Sequence, residues 1–134
     1  MGFDVVVEAG AGLQAAYRDQ EYTQAGATLV DGPEACWDGA DIVLKVCPPT
    51  NHPGIGRHEA DLLPANALLI SFVWPSTNEE LLQRLAERHA TVFAMDQVPR
   101  ITRAQSMDAL SSMANIAGYR AVIEAAHHFG RFFT

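Results

Sequence analysis

Between Met95 and Ser112 the run MDQVPRITRAQSMDALSS brings two guanidinium groups, a neutral amide, a carboxylate and a hydroxyl close together in the chain, as Arg100, Arg103, Gln105, Asp108 and Ser111. Arginine offers a fork of donors and glutamine an amide that can donate and accept, a polar set that suits ligand binding. A second group of residues lies near the start, where VVVEAGAGLQAA carries Gly10, Gly12 and Ala15 in a G-x-G-x-x-A spacing. Asp31 follows at about the 20-residue distance expected of a ribose-binding carboxylate after a dinucleotide fingerprint. Each group also has a plainer reading. Thr102 is placed to cap a helix starting at Arg103, and Asp108 could serve a helix dipole. Gly10 and Gly12 suit any tight strand-to-helix turn, with or without a phosphate.

The elements that must position these residues alternate along the chain. Strand candidates are Asp4 to Glu8, Ala27 to Val30, Asp41 to Val46, Ala67 to Val73 and Thr91 to Met95, separated by helical segments around Asp19 to Ala25, Pro33 to Asp38, His58 to Leu63 and Asn78 to His89. Several strands are continuously apolar, the pattern of strands covered on both faces. The fold class is therefore α/β: a three-layer α/β/α, Rossmann-like or flavodoxin-like domain with a mainly parallel sheet. In Asn78 to His89, Leu81, Leu82 and Leu85 form the apolar stripe. From Ala104 to about Phe129 the chain reads as one long C-terminal helix, with Met107, Leu110, Ala114, Ala117, Ala121 and Ala125 at helical spacing. Such a helix would run roughly 39 Å, comparable with the width of the domain. Phe129, Phe132 and Phe133 add an apolar end that meets a second chain or a missing continuation of this one, or else closes the core. The segment from Met95 to Ser112 then lies at the carboxyl end of a sheet strand, where open α/β sheets bind ligands.

Composition narrows the partners. The 134 residues carry nine Lys and Arg against sixteen Asp and Glu, a formal charge of −7, which repels nucleic acid and anionic membranes. Cys36 and Cys47 show no C-x-x-C spacing and follow no secretory leader, as in a reduced, cytoplasmic chain. The uncharged run from Leu62 to Asn78 is interrupted by Pro64, Asn66, Ser71 and Pro75, and reads as a core strand with no membrane insertion. His52 and His58 flank a loop, and His127 and His128 are adjacent on a helix. Neither pair has the i, i+4 geometry of a helical zinc site, and no metal is expected.

The stretch AMDQVPRITRAQSMDALSSMANIAGYRAVIEAAHHFGRFF closely resembles the first domain of the α subunit of proton-translocating NAD(P) transhydrogenases. VVVEAGAG, DIVLKV and LLISFVWPSTNEELLQRLAER are similar to the same family in the same order, so the resemblance covers essentially the whole chain. It implies a place beside the nicotinamide of NAD(H) for Arg100, Gln105, Asp108 and Ser111, with Gln105 as the catalytic candidate and the other three as cofactor-binding residues. It also implies hydride transfer between NAD(H) here and NADP(H) on a separate domain, coupled to a membrane domain. The protein's part in that chemistry is orientation and exclusion of water.

The related alanine dehydrogenases share the fold. Lys45 in VLKV matches the lysine that binds the 2-oxo acid in those enzymes, with a structural salt bridge as the alternative. Their catalytic histidine is expected in LLISFVW, where this chain has Trp74, so no general acid stands at that place. The resemblance further implies that the NAD pyrophosphate fingerprint belongs to a second, Rossmann domain after the long helix, beyond residues 1–134, and that a strand and helix precede the counterpart of Gly2. The expectation is a single first-domain fragment of the NAD(H)-binding component, inactive alone, homodimeric, and peripheral to the membrane when assembled. Two other readings stand beside it: a non-catalytic, self-associating α/β module, and a small-ligand binder using Lys45, Trp74 and Gln105.

Overall fold

Short apolar runs become short parallel strands in the computed structural model, which describes residues 2–131. Phe132 and Phe133, expected at the apolar end of the last helix, lie outside the described residues. Strand β1 (Val6–Glu8) pairs in parallel with β2 (Thr28–Val30), matching Val7 to Leu29. Helix α1 (Asp19–Gln24) joins them, and its entry is fixed by the Glu21 carboxylate, which accepts the Arg18 N–H at 2.7 Å. Helix α2 (Pro33–Trp37) opens on a proline, whose missing N–H removes nothing at the first helical position.

The second sheet contains the core. Strand β3 (Ile42–Leu44) pairs with β6 (Leu68–Ser71), which pairs with β7 (Thr91–Ala94), all parallel. Between β3 and β6 the chain makes a small antiparallel hairpin, β4 (Asn51–His52) with β5 (Arg57–His58), and then a 3₁₀ turn at Glu59–Asp61. Helix α3 (Glu79–Glu87) returns the chain from β6 to β7, with Glu79 and Glu80 in its first turn and Arg84 in its last, as its dipole favours. One face of this sheet is covered. Val43, Leu69 and Val73 meet Leu81 and Leu85 of α3, together with Ala60, Leu63, Ala67 and Trp37, and Leu69 has no exposed surface. Each large apolar side chain taken from water contributes on the order of 1.5–3 kcal/mol.

Four expectations change. The parallel strands form two sheets, β1-β2 and β3-β6-β7, with no hydrogen-bonded ladder between them among the described residues. The β3-β6-β7 sheet is not covered on both faces: Ile42, Leu44 and Phe93, on the face opposite Leu69, are exposed at 42%, 74% and 58%. A continuously apolar strand signals two faces that need cover, wherever the second cover comes from. Leu82 is exposed while Leu81 and Leu85 are buried, because only the latter pair, four positions apart, shares the core-facing side. Finally, the long helix is interrupted: a 3₁₀ segment, Thr102–Met107, ends at Asp108, and α4 runs from Ala109 to His128. The physical cause is Asp108, whose backbone leaves the helical region (φ −83°, ψ 89°) so that its side chain can cap the new helix. Helix α4 is therefore about 30 Å long, and it contains no buried residue.

Candidate functional site

The segment from Met95 to Ser111 leaves the carboxyl end of β7 in two tight turns, Met95–Gln97 and then Thr102–Met107. Pro99, its φ locked by the ring, fixes the path between them, and its carbonyl accepts the Ile101 N–H at 2.9 Å. The second turn starts after extended Ile101, so Thr102 lies inside the turn and does not cap it. Ala104 is buried and anchors the turn, while Gln105 on the adjacent position is exposed. Asp108 is turned inward, 3% exposed, and accepts the Ser111 hydroxyl at 2.5 Å and the Ser111 N–H at 3.2 Å. The Ser111 hydroxyl and N–H hold the Asp108 carboxyl below the usual carboxylate range, against some opposing burial, and the Arg100 guanidinium acts in the same direction. Asp108 is thus ionised, with Arg100 as a nearby counter-charge.

Of the four sequence-predicted residues, Asp108 and Ser111 are in direct contact and the Arg100 charge acts on Asp108. Gln105 is joined only through its backbone, its carbonyl accepting the Asp108 N–H at 3.3 Å. Its side-chain amide makes no hydrogen bond among the described residues, so its donor and acceptor are both open. Arg100 is likewise exposed. The result is a capped turn with an exposed amide and an exposed guanidinium, groups that can hydrogen-bond to a planar amide or a ribose hydroxyl.

One residue of this site is not visible as a site residue in the sequence. Asp96, two residues after β7, accepts the Val73 N–H at 2.6 Å, the Trp74 N–H at 3.2 Å and the Gln97 side-chain amide at 2.7 Å. Burial pushes its carboxyl up, but the hydrogen bonds from Gln97, Val73 and Trp74 together outweigh that and hold it below its ordinary value. The only sequence signal is an acidic residue at the carboxyl end of a sheet strand. Lys45, at the end of β3, is held by Glu59 at 3.2 Å, and the other oxygen of Glu59 accepts the Thr50 N–H at 2.8 Å. The lysine is therefore engaged in a half-buried ion pair, the structural alternative raised for it.

The glycine-rich turn is built for packing. Gly10 has φ 80°, a left-handed value that favours glycine, and its N–H is donated to Asp19 at 2.8 Å. The N–H groups of Ala11, Leu13 and Ala15 go to the carbonyls of Glu8, Gly10 and Gly12. The amides that would cradle a phosphate are thus bonded within the turn, and a carboxylate already occupies the acceptor position. A Cβ on Gly12 would lie 2.7 Å from Tyr17 Cβ and 2.8 Å from the Tyr17 carbonyl oxygen. His52 and His58 each accept an N–H through Nδ1, from Gly54 and Ala60, and act as caps. Among the described residues no group of three or more His, Cys, Asp or Glu is placed to hold a metal ion, and no helix is long and apolar enough to cross a membrane. An open depression of about 390 Å³, lined by Glu34, Ala35, Asp38, Arg57, Asp61 and Leu62, shares no residue with the Arg100–Ser111 segment.

Parallel α/β sheets, a capped turn after the last strand and a long C-terminal helix define the class: an α/β domain with a polar segment at the carboxyl edge of its sheet. The sequence profile described as "Alanine dehydrogenase/PNT, N-terminal domain" matches residues 1–117, and the chain belongs to this family. It is 54% identical over 134 residues to the NAD(P) transhydrogenase subunit alpha of Cereibacter sphaeroides, covering all of this chain and 24% of that protein. Its fold matches the crystal structure of transhydrogenase from Sinorhizobium meliloti with a TM-score of 0.84 and 48% identity, over 97% of this chain and 37% of that one. An L-alanine dehydrogenase structure matches at a TM-score of 0.62 and 32% identity, over 72% of this chain and 25% of that one. Alanine dehydrogenase is thus the more distant relative, and the chain spans about a quarter of the length of the transhydrogenase subunit it matches.

Proposed function

We propose that residues 1–134 act as one domain, the first of the NAD(H)-binding component of a transhydrogenase, and that Arg100, Gln105, Asp108 and Ser111 hold the nicotinamide end of NAD(H). The observation that carries this reading is the exposed Gln105 amide, unpartnered among the described residues on a turn locked from behind by Asp108 and Ser111. A neutral amide can bond to the nicotinamide carboxamide without placing charge beside a transferred hydride. When bound, NAD(H) supplies or accepts that hydride, exchanging it with NADP(H) on a separate domain. Gln105 is the residue assigned to the reacting ring, Arg100 to a carboxamide or ribose oxygen, and Asp108 and Ser111 keep the turn and the guanidinium in place. No proton donor is required of these residues, and the protein's contribution is orientation.

The residues fit only the nicotinamide half. The Gly10–Ala15 turn has its amides engaged, so adenosine and pyrophosphate contacts belong to a second domain and the isolated chain is expected to be inactive. It acts on the cytoplasmic side, peripheral to the membrane when assembled with the NADP(H)-binding and membrane domains. The test is a titration of the 134-residue chain with NADH and, separately, NADPH, followed by backbone amide shifts. Saturable, NADH-selective shifts at Arg100–Ser111 are expected; an unchanged spectrum there with NADH overturns the assignment.

A specific observation favours self-association as well. Helix α4 contains no buried residue and exposes Met113, Ile116, Tyr119, Val122 and Ile123, the last at 41% and the others at 59–72%. So much apolar surface on one helix favours a partner, and a homodimer through α4 supplies one. Sedimentation equilibrium is expected to give a dimer that Ile116→Glu dissociates. A monomer at every concentration would exclude it.

A further inference from the structure

The loop after β6 carries a conformation that the Arg100–Ser111 reading does not use. Trp74 has φ 51°, in the left-handed region that bulky side chains rarely adopt. The peptide groups around it are held on every side. Asp96 takes the N–H of both Val73 and Trp74, one on each oxygen. The Asn78 amide donates to the Val73 carbonyl at 2.8 Å, and the Thr77 hydroxyl donates to the Trp74 carbonyl at 3.1 Å. Backbone strain held this firmly is a feature of binding sites.

What the clamp presents is a flat ring. Trp74 is 43% exposed, yet its indole lies nearly parallel to the Phe72 ring, 18° between planes and 6.2 Å between centroids. The indole is thus pinned from beneath by its neighbour and from behind by its backbone, with its outer surface left to solvent. Asp96 belongs to the Met95–Gln97 turn, which α4 touches, so the clamp and the helix that carries Ser111 share one support. Rigid indole faces bind planar heteroaromatic rings by stacking.

We propose that the Phe72–Trp74 pair, set by Asp96, is a stacking wall for the nicotinamide ring of the ligand that the Arg100–Ser111 segment grips. The inference rests on the proposed nicotinamide reading. Asp96 is a positioning residue, acting through Trp74.

The test uses reduced nicotinamide mononucleotide, with AMP as the adenine control, on the chain and on Trp74→Leu. Two signals are followed together: the Trp74 indole N–H, assigned by its loss in the variant, and the amides of Arg100–Ser111. Buried Trp37, 5% exposed, reports that the variant is folded. Shifts of both signals with the nicotinamide probe, and affinity about tenfold weaker in Trp74→Leu, are expected. Shifts at Arg100–Ser111 with an unmoved Trp74 overturn the stacking wall and leave the nicotinamide reading intact. A Trp74 shift alone, with Arg100–Ser111 unmoved, overturns both the nicotinamide reading and the wall as part of that site. An equal Trp74 response to AMP overturns the assignment to nicotinamide, and silence of both signals overturns both.

Discussion

Replacing Gly12 by alanine tests whether the glycine-rich turn is a packing device. Gly12 has φ −93° and ψ −5°, which alanine adopts without strain. On backbone grounds alone Gly12→Ala therefore gains about 0.4–1 kcal/mol, by narrowing the unfolded ensemble. The added methyl has no room: it would lie 2.5 Å from the Tyr22 hydroxyl, 2.7 Å from Tyr17 Cβ and 2.8 Å from the Tyr17 carbonyl oxygen. The hydroxyl ends a side chain that can swing away, but the Tyr17 atoms belong to the backbone and its first side-chain carbon, and they move only with the turn. Overpacking of this kind costs roughly 1–3 kcal/mol, so at mid-range a net loss of about 1.3 kcal/mol remains after the backbone gain. For a domain of this length that lowers Tm by about 5 °C. Thermal unfolding followed by circular dichroism reads the shift. Tyr22→Phe removes only the movable oxygen, so Gly12→Ala should still lower Tm in that background. A Gly12→Ala protein that melts at or above the parent would refute the packing argument and reopen the turn as a site kept clear for a ligand.

Four further outcomes follow from the electrostatics and burial. Asp96 and Asp108 both have folded-state carboxyl pKa values below their unfolded ones, so the stability they confer is present above the ordinary carboxylate range, near pH 4. It is lost as pH falls through the folded values. Asp96→Asn and Asp108→Asn are each expected to flatten the acid side of a stability profile measured by urea unfolding, and an unchanged slope would contradict the assignment. Burial, then the Glu8 charge, raises the Cys36 thiol, while Cys47 is exposed; iodoacetamide at neutral pH should label Cys47 well before Cys36 by mass spectrometry, and equal rates would count against it. Lys45→Met leaves the buried Glu59 carboxylate without its cation and should cost up to about 3 kcal/mol; Lys45→Met with Glu59→Gln should recover part of that loss in chemical denaturation. Asp108→Ala should lower the helical signal of α4 while Asp108→Ser, which restores a capping oxygen, recovers it; equal signals from the two variants would show that capping is not what starts the helix.

The parts of this protein legible in its sequence are those decided by local chemistry. Val6–Glu8, Thr28–Val30 and Thr91–Ala94 form strands where β-branched residues cluster, and Leu81 and Leu85 reach the core because a helix places residues four apart on one side. Asp108 is legible as a helix-start residue, and because the carboxylate that caps α4 through Ser111 also feels Arg100, capping does not compete with the site role proposed for it. Where sequence and structure part, the deciding contact is distant in the chain. Continuous apolarity in β3 and β6 announces two faces seeking cover, but it cannot say that α3 covers one and that nothing among the described residues covers Leu44. The break at Asp108 is hidden because residues on both sides favour a helix, and a capping aspartate looks the same as any surface aspartate until its side chain is seen to turn inward. Asp96 is hidden for a similar reason: its partners, the N–H groups of Val73 and Trp74, are backbone groups that no side-chain pattern reports. The G-x-G-x-x-A spacing misleads in the opposite sense, since glycine is selected equally by a phosphate and by a tyrosine. Only the position of Tyr17 against Gly12 separates the two.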